Sequence, residues 1–492
     1  MKILCLGNNT SDTDEKASRL AIELGTVNLG LISTVDNQPL PGLYHTSTAD
    51  LNSAQILELV EKFDKLILLD HKELDNLEYL DYIKSLIKKV DIEFESQVDL
   101  TTKSYFEELL DTNKSFCILP FIEVTTNDDF TTVCCRSETP VSKLDSITDW
   151  KQNIDYKEIR DKMLKGEQIP EHCSHCYRYE QVGMKGDRHY ETLRWTSKLN
   201  LKSIEDLEKI NSPVYYEVRT GNTCNLQCRM CFPQYSNLIE KEYVKLGWHD
   251  PKVTYHYSNF DFVKFDNLEK LLVSGGEPTA LTDLYDFMIK CVDVDHTDFE
   301  FTIQTNAEKI SEKFFNLANK FSNLDFTISL DGYQKVNDYV RWNSHWDNII
   351  NNAKRLNQRH KITFNTVISI YNVSTLYQLL FFIEQEFPTV EVCLHQVESK
   401  DDILNEQLYP INNNVLDSLE KIKSLKLYQQ SDLVKNRIDS LLENYHNQET
   451  IDIAKLTKFF EFNDTLDKSR GCLLKDYIPE LEQYRELCYN KV

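Results

Sequence analysis

From about residue 213 the chain repeats one pattern six times: a short strand-forming run, then a stretch with helical spacing. Tyr215–Arg219, Lys270–Ser274, Phe299–Thr305, Leu324–Leu330, Lys361–Ile370 and Val390–Val397 read as strands, and Leu281–Val292 as one of the helices between them. Strands that alternate with helices pair in parallel, because each helix carries the chain back to start the next strand in the same direction. Six such units predict an α/β fold, a (β/α)6 partial barrel of the TIM type over residues 210–405. Chemistry in such a barrel belongs at the C-terminal ends of the strands.

The rest of the 492 residues divides by texture. Residues 1–105 alternate strand and helix as a small α/β module of the flavodoxin or Rossmann kind. Lys2–Leu6, Val27–Ile32 and Leu66–Leu69 are its strands. Ala17, Leu20, Ala21 and Leu24, then Ile56, Leu57, Val60 and Phe63, mark its helices. Gly7 stands alone after the first strand, so no phosphate-cradling loop is present. Residues 112–200 form a cysteine-rich module of short strands and polar turns, and 406–492 a polar helical tail. With 79 acidic against 55 basic side chains the net charge is −24, which disfavours a nucleic-acid partner. No apolar run approaches the ~18 residues of a membrane span, and the first apolar run breaks at Gly7. A soluble, cytoplasmic chain is expected. In a reducing compartment its 13 cysteines are metal ligands, catalytic groups or core residues before they are disulfides.

Three of them lie on one loop just after the first barrel strand, as Cys224-x3-Cys228-x2-Cys231. Thiolates this close can grip three corners of a cubane iron–sulfur cluster and leave the fourth iron open, the general design of a catalytic metal site. The competing reading is three core cysteines or half of a zinc site, but no second Cys or His pair follows at short range.

The loop resembles that of the radical S-adenosylmethionine (SAM) enzymes. In that family the open iron of a [4Fe–4S] cluster chelates SAM, one electron from the cluster breaks the sulfonium bond, and the 5′-deoxyadenosyl radical abstracts hydrogen from the substrate. The resemblance implies further SAM contacts. Phe232 follows the last cysteine, and Gly275, Gly276, Glu277 and Pro278 end the second strand, where the family holds the SAM amino group. Thr305-Asn306-Ala307 ends the third, with alanine in place of the family's glycine. Ser329 ends the fourth strand and would face the ribose, Arg341 would meet the SAM carboxylate, and Val367 and Ile368 on the fifth strand would line the adenine. No general base is assigned.

Cys173-x2-Cys176, with Cys117 and Cys134-Cys135 upstream, offers thiolates for a second site. These stretches look like the twitch-domain radical SAM proteins, whose small cysteine module houses an auxiliary [4Fe–4S] cluster; here the module precedes the barrel. The implied ligands are Cys117, Cys134, Cys173 and Cys176, with Cys135 turned to the opposite face of a strand. Asp129 stands where the subfamily has glycine. A structural zinc site has the same ligands. His172 and His175 read as turn residues rather than ligands. Cys5, Cys291 and Cys393 read as core, and Cys472 and Cys488 carry no paired motif. The aromatics from Tyr255 to Phe265 read as a packed loop or extra strand.

By the same resemblance the substrate is a peptide or protein side chain before a small metabolite, and an external donor of the flavodoxin or ferredoxin type supplies the electron. A metal-stabilised scaffold without catalysis is the third alternative.

Overall fold

The computed structural model describes residues 3–7, 29–33, 43–47, 65–68, 91–94 and 104–489, without 128, 138, 144–148, 182–184, 258, 398, 400–401, 411–412 and 449. It falls into two compact units, Met1–Ile122 with Lys151–Asn211, and Glu123–Trp150 with Ser212–Val492.

The first unit holds a five-stranded sheet of β1 (Ile3–Gly7), β2 (Leu29–Ser33), β3 (Leu43–Ser47), β4 (Lys65–Leu68) and β5 (Asp91–Phe94). The order is β3-β2-β1-β4-β5 and every pairing is parallel. That is the order of a doubly wound sheet, with the first strand central. β1, β2 and β4 lie within two residues of the strands expected from the sequence. β3 and β5 are additional: Leu-Tyr-His-Thr-Ser and Asp-Ile-Glu-Phe are too polar to stand out. The helices expected at Ala17–Leu24 and Ile56–Phe63 lie outside the described residues.

Among the described residues the same unit contains five α-helices, α1 (Tyr105–Thr112), α2 (Ile154–Leu164), α3 (Pro170–Gln181), α4 (Asp187–Lys198) and α5 (Ile204–Glu208). The expectation of short strands and polar turns is therefore corrected over residues 154–198, while short strands do occur over 123–143. The start signals are in the sequence. Ser104 and Glu107 make a reciprocal capping box on α1, Asn153 caps α2 through Asp155 N and Tyr156 N, and Pro170 opens α3. α2 lacks a clean apolar stripe, since it buries Arg160 beside Tyr156, Ile159 and Met163. Its periodicity was hidden for that reason.

The second unit is built on a nine-stranded sheet: β6 (Glu123–Asn127), β7 (Phe130–Thr132), β8 (Ser142–Lys143), β9 (Tyr215–Arg219), β10 (Lys270–Ser274), β11 (Glu300–Thr305), β12 (Leu324–Ser329), β13 (Ile362–Ile368) and β14 (Glu391–Gln396). Its order is β14-β13-β12-β11-β10-β9-β6-β7-β8. β9 to β14 are parallel neighbours, and β6 continues the sheet parallel to β9. β7 and β8 fold back antiparallel. The hairpin Glu123–Lys143 thus belongs to the large sheet, so the compact units divide at Ile122 and Trp150, inside the 112–200 segment. Asn127 pairs with Phe130, which puts Asp129 in the hairpin turn.

The two faces of this sheet differ. Val273, Phe301, Ile303, Phe326, Ile328, Phe364 and Val392 are buried under helices. Phe287 of α6 (Thr282–Asp293) meets Phe301, and Phe314 of α7 (Glu312–Ala318) meets Phe326, ring to ring. Each such side chain contributes roughly 1.5–3 kcal/mol by leaving water. On the other face Thr302, Gln304, Thr327, Ser329, Asn365 and Val367 are only partly covered. An ordinary parallel sheet is apolar on both faces; this one keeps a polar face. The aromatic stretch before β10 is a loop without a strand, and Phe260 and Phe265 stack on Phe287. No helix among the described residues is long and apolar enough to cross a membrane.

Candidate functional site

The Cys224–Cys231 loop leaves the C-terminal end of β9 and has almost no regular backbone of its own. Its shape comes from neighbours. Thr220 N donates to Ser274 O at 2.9 Å, Gly276 N to Gly221 O at 2.6 Å and Glu277 N to Thr223 O at 2.8 Å. Gly275 sits at φ +102°, and a Cβ there would lie 2.8 Å from Thr220 N. A Cβ on Gly276 would lie 2.3 Å from Thr223 O. The glycine pair thus admits the backbone of the cysteine loop; this is the close approach that scarce adjacent glycines serve here. On the far side of the loop Gln227 N donates to Trp342 O at 2.9 Å and Arg229 N to Val340 O at 2.8 Å.

The three thiols share one environment. Burial and the Cys228 sulfur push the Cys224 thiol up to about 12. Burial, then Cys228 and Cys224, push Cys231 up, and burial raises Cys228. Without a cation such thiols stay protonated; a bound metal centre supplies the missing positive charge, because thiolate is the ligating form. The donor set fits an iron–sulfur cluster on that ground. Among the described residues no three His, Cys, Asp or Glu side chains converge closely enough to hold a single metal ion.

Glu277 is 2% exposed, and its carboxylate is fully engaged. Oε1 accepts from Thr279 Oγ1 and Thr305 Oγ1, both at 2.6 Å, and Oε2 from Asn306 N at 2.7 Å. The side chain therefore ties the end of β10 to the end of β11. Pro278 is buried beside it. Asn306 Nδ2 reaches back to Asn225 Oδ1 at 2.9 Å and to Cys224 Sγ at 3.9 Å. Ala307 adopts φ +53°, the left-handed conformation that its glycine counterpart takes without strain.

Arg341 fits an anionic ligand. Its Nη1 donates to Asp331 Oδ2 at 2.5 Å, and its Nε is buried without a partner. Cys228 and Asp331 outweigh the effect of burial and hold it firmly protonated. Asp331 Oδ1 in turn accepts from Val367 N at 2.7 Å, linking the exits of β12 and β13. Ser329 is partly exposed at the end of β12, and Phe232 is 37% exposed beside Cys231. Ile368 is fully buried on the helix-covered face, whereas Val367 reaches the polar face. An adenine on that face would meet Val367 and not the Ile368 side chain, because neighbouring strand residues point to opposite sides.

The second cysteine group lies partly in the first unit. Cys173 and Cys176, three residues apart on α3, share a helix face. Burial and the Cys173 sulfur raise Cys117, and burial and Cys176 push Cys173 up to about 12, so the three sulfurs are mutual neighbours. Arg188 is buried against them. It donates to Glu180 from Nε at 2.5 Å and Nη2 at 2.7 Å, and to Phe116 O from Nη1 at 2.9 Å. His172 and His175 lie within α3, not in a turn. Cys134 and Cys135 belong to the second unit and follow β7 in a bend and turn, so the strand alternation expected to separate them does not apply. Cys134 is partly buried and Cys135 exposed.

Sequence reasoning did not single out Arg188, Asp331 or Arg229. A cation set among thiols or beside a cysteine motif was the available signal.

Comparison with known proteins bears on the second unit first. The family model of the Radical SAM superfamily matches residues 218–383, from β9 into the helix after β13. No curated protein matches. Among solved structures, Streptococcus suis SuiB bound to the precursor peptide SuiA is similar at 15% identity, over 67% of this chain and 64% of that one, with a TM-score of 0.29. AdoMet-bound native anSMEcpe is similar at 14% identity, over 51% and 66%, with a TM-score of 0.32. Coproporphyrinogen III oxidase HemN from Escherichia coli, described as a radical SAM enzyme, is similar at 13% identity, over 50% and 57%, with a TM-score of 0.25. The chain spans less than two thirds of the length of each. Residues 218–383 match the Radical SAM superfamily model, and the loop that carries Cys224, Cys228 and Cys231 opens the matched segment.

Proposed function

We propose that the protein is a radical SAM enzyme that acts on a peptide or protein side chain, with a second iron–sulfur cluster for electron transfer. The observation that carries the reading is the trio Cys224, Cys228 and Cys231 on one loop after β9, with Arg341 held by Asp331 and its buried Nε left without a partner. When bound, the cluster and SAM supply a 5′-deoxyadenosyl radical for hydrogen abstraction. The three cysteines hold the cluster. Arg341 takes the SAM carboxylate with its unpartnered donor, suited to forked hydrogen bonding. Glu277 and Asn306 hold the exits of β10 and β11 against the loop. Gly275 and Gly276 keep that contact close, and their partly exposed backbone faces the SAM amino group. Ser329 serves the ribose and Val367 the adenine. The polar, half-covered face of the sheet suits a polar substrate.

Cys117, Cys173 and Cys176 supply the second site, and Arg188 compensates its negative charge. A second redox centre suits a reaction that removes an electron after hydrogen abstraction, such as a dehydrogenation or cross-link. The sheet of residues 1–105 serves partner recruitment in this reading, and an external one-electron donor reduces the enzyme.

The test is iron, sulfide and zinc content of protein purified without oxygen. About eight iron and eight sulfide per chain are expected, and about four of each after Cys173→Ala with Cys176→Ala. About four iron with one zinc in the unaltered protein would remove electron transfer from the second site.

A further inference from the structure

Arg229 stands between two of the loop's cysteines, and its side chain leads out of the family-matched segment. The residue is 1% exposed. Nε donates to Tyr339 O at 3.0 Å, Nη1 to Asn463 Oδ1 at 3.0 Å, and Nη2 to Asp467 Oδ1 at 2.6 Å and Cys472 Sγ at 3.3 Å. The guanidinium carbon lies 3.6 Å from the centre of the Tyr339 ring. Asn463 and Asp467 are one turn apart on the helix Ile453–Arg470, which Gly471 ends at φ +70°.

The acceptors are themselves fixed. Asp467 Oδ1 accepts from Tyr339 Oη at 2.8 Å, and Oδ2 from Leu474 N at 2.7 Å. Tyr371 Oη donates to Asn463 Oδ1 at 3.1 Å. One turn beyond, Arg470 grips Glu242 through Nε at 3.1 Å and Nη2 at 2.6 Å; Glu242 belongs to the helix Asn237–Leu246 that follows the cysteine loop. The tail is therefore bonded within the loop that carries the thiols and again to the helix that follows it. Hydrophobic residues of like volume serve a core as well as a buried ion pair does, so a charged network at this point calls for a role in placement. Outer partners that orient metal ligands have that effect: their loss commonly costs about 10–100-fold in metal affinity or activity.

We propose that Arg229 is a positioning residue for the cluster ligands and that the tail Ile453–Tyr477, outside the family match, is the wall against which the cysteine loop is set. This rests on the reading of Cys224, Cys228 and Cys231 as a cluster site. Full-length protein is reconstituted with iron and sulfide without oxygen, as unaltered protein, Arg229→Lys, and the charge-compensated double variant Arg229→Gln with Asp467→Asn. Iron content, the EPR signal that responds to SAM, its midpoint potential and the thermal melt of the metal-free protein are read. The double variant is expected to melt cooperatively and to bind iron at this site at least about tenfold more weakly. Its residual signal should differ in line shape and potential, and Arg229→Lys should recover part of the loss. A double variant with the iron, line shape and potential of the unaltered protein would overturn the positioning role and leave the cluster reading standing. Unaltered protein without a SAM-responsive signal would overturn the cluster reading itself.

Discussion

Cys224, Cys228 and Cys231 hang on an irregular loop, whereas Cys173 and Cys176 ride one turn apart on a helix. The helix fixes its two sulfurs by its own hydrogen bonds and asks little of its surroundings. The loop is shaped from outside, by the glycine pair at β10, by Asn306 at β11, by Val340 and Trp342 and by the tail. Both groups still meet the same electrostatic need. Each has an arginine held by a carboxylate, the partly buried Arg341 by Asp331 and the buried Arg188 by Glu180. In the proposed function each group holds an anionic cluster, and an arginine pinned in advance lowers the cost of collecting the sulfurs. The difference teaches where each site is fragile: the loop at its backbone contacts, the helix at its cation.

Four substitutions sharpen that contrast. Gly276→Ala puts a Cβ at 2.3 Å from the backbone of Thr223 and must move the loop. It should cost about 3 kcal/mol in urea unfolding and at least about tenfold in iron binding at the loop. Arg188→Met leaves Glu180 without its bidentate partner beside three thiols. A loss of about 3 kcal/mol is expected in the same unfolding experiment, with the SAM-responsive EPR signal intact. Gly186→Ala brings a Cβ only to 3.1 Å from Cys176 O, so about 1 kcal/mol and a minor loss of iron at the second site should follow. Ala307→Gly relieves a left-handed alanine against the entropy of glycine, for a net gain of about 0.5–1 kcal/mol by thermal melting. Equal sensitivity of both sites to the two glycine substitutions would break the contrast.

Much of this was legible because period-two burial is written locally. Phe301, Ile303, Phe326 and Ile328 alternate with polar neighbours, and the strands follow. The cysteine loop was legible because its three cysteines lie within eight positions of one another. The clamp on it was not, since Asn463 and Asp467 lie 234 and 238 residues from Arg229. Helices α2 to α4 escaped because their buried faces include Arg160, Arg188 and Thr192, which spoil an apolar stripe while capping residues mark their starts. The sequence does not show that Gly275 and Gly276 also make room for backbone of the loop after β9, Thr220–Thr223, because that neighbour lies about 50 residues upstream.

The central claim is that the Cys224–Cys231 loop supports SAM cleavage. The direct measurement is 5′-deoxyadenosine formed from SAM by the anaerobically reconstituted, chemically reduced protein, beside the Cys224→Ala, Cys228→Ala, Cys231→Ala triple variant. Formation by the unaltered protein and none by the triple variant is the expected result. Cleavage retained by the triple variant, or absent from protein loaded with iron and sulfide, would contradict it.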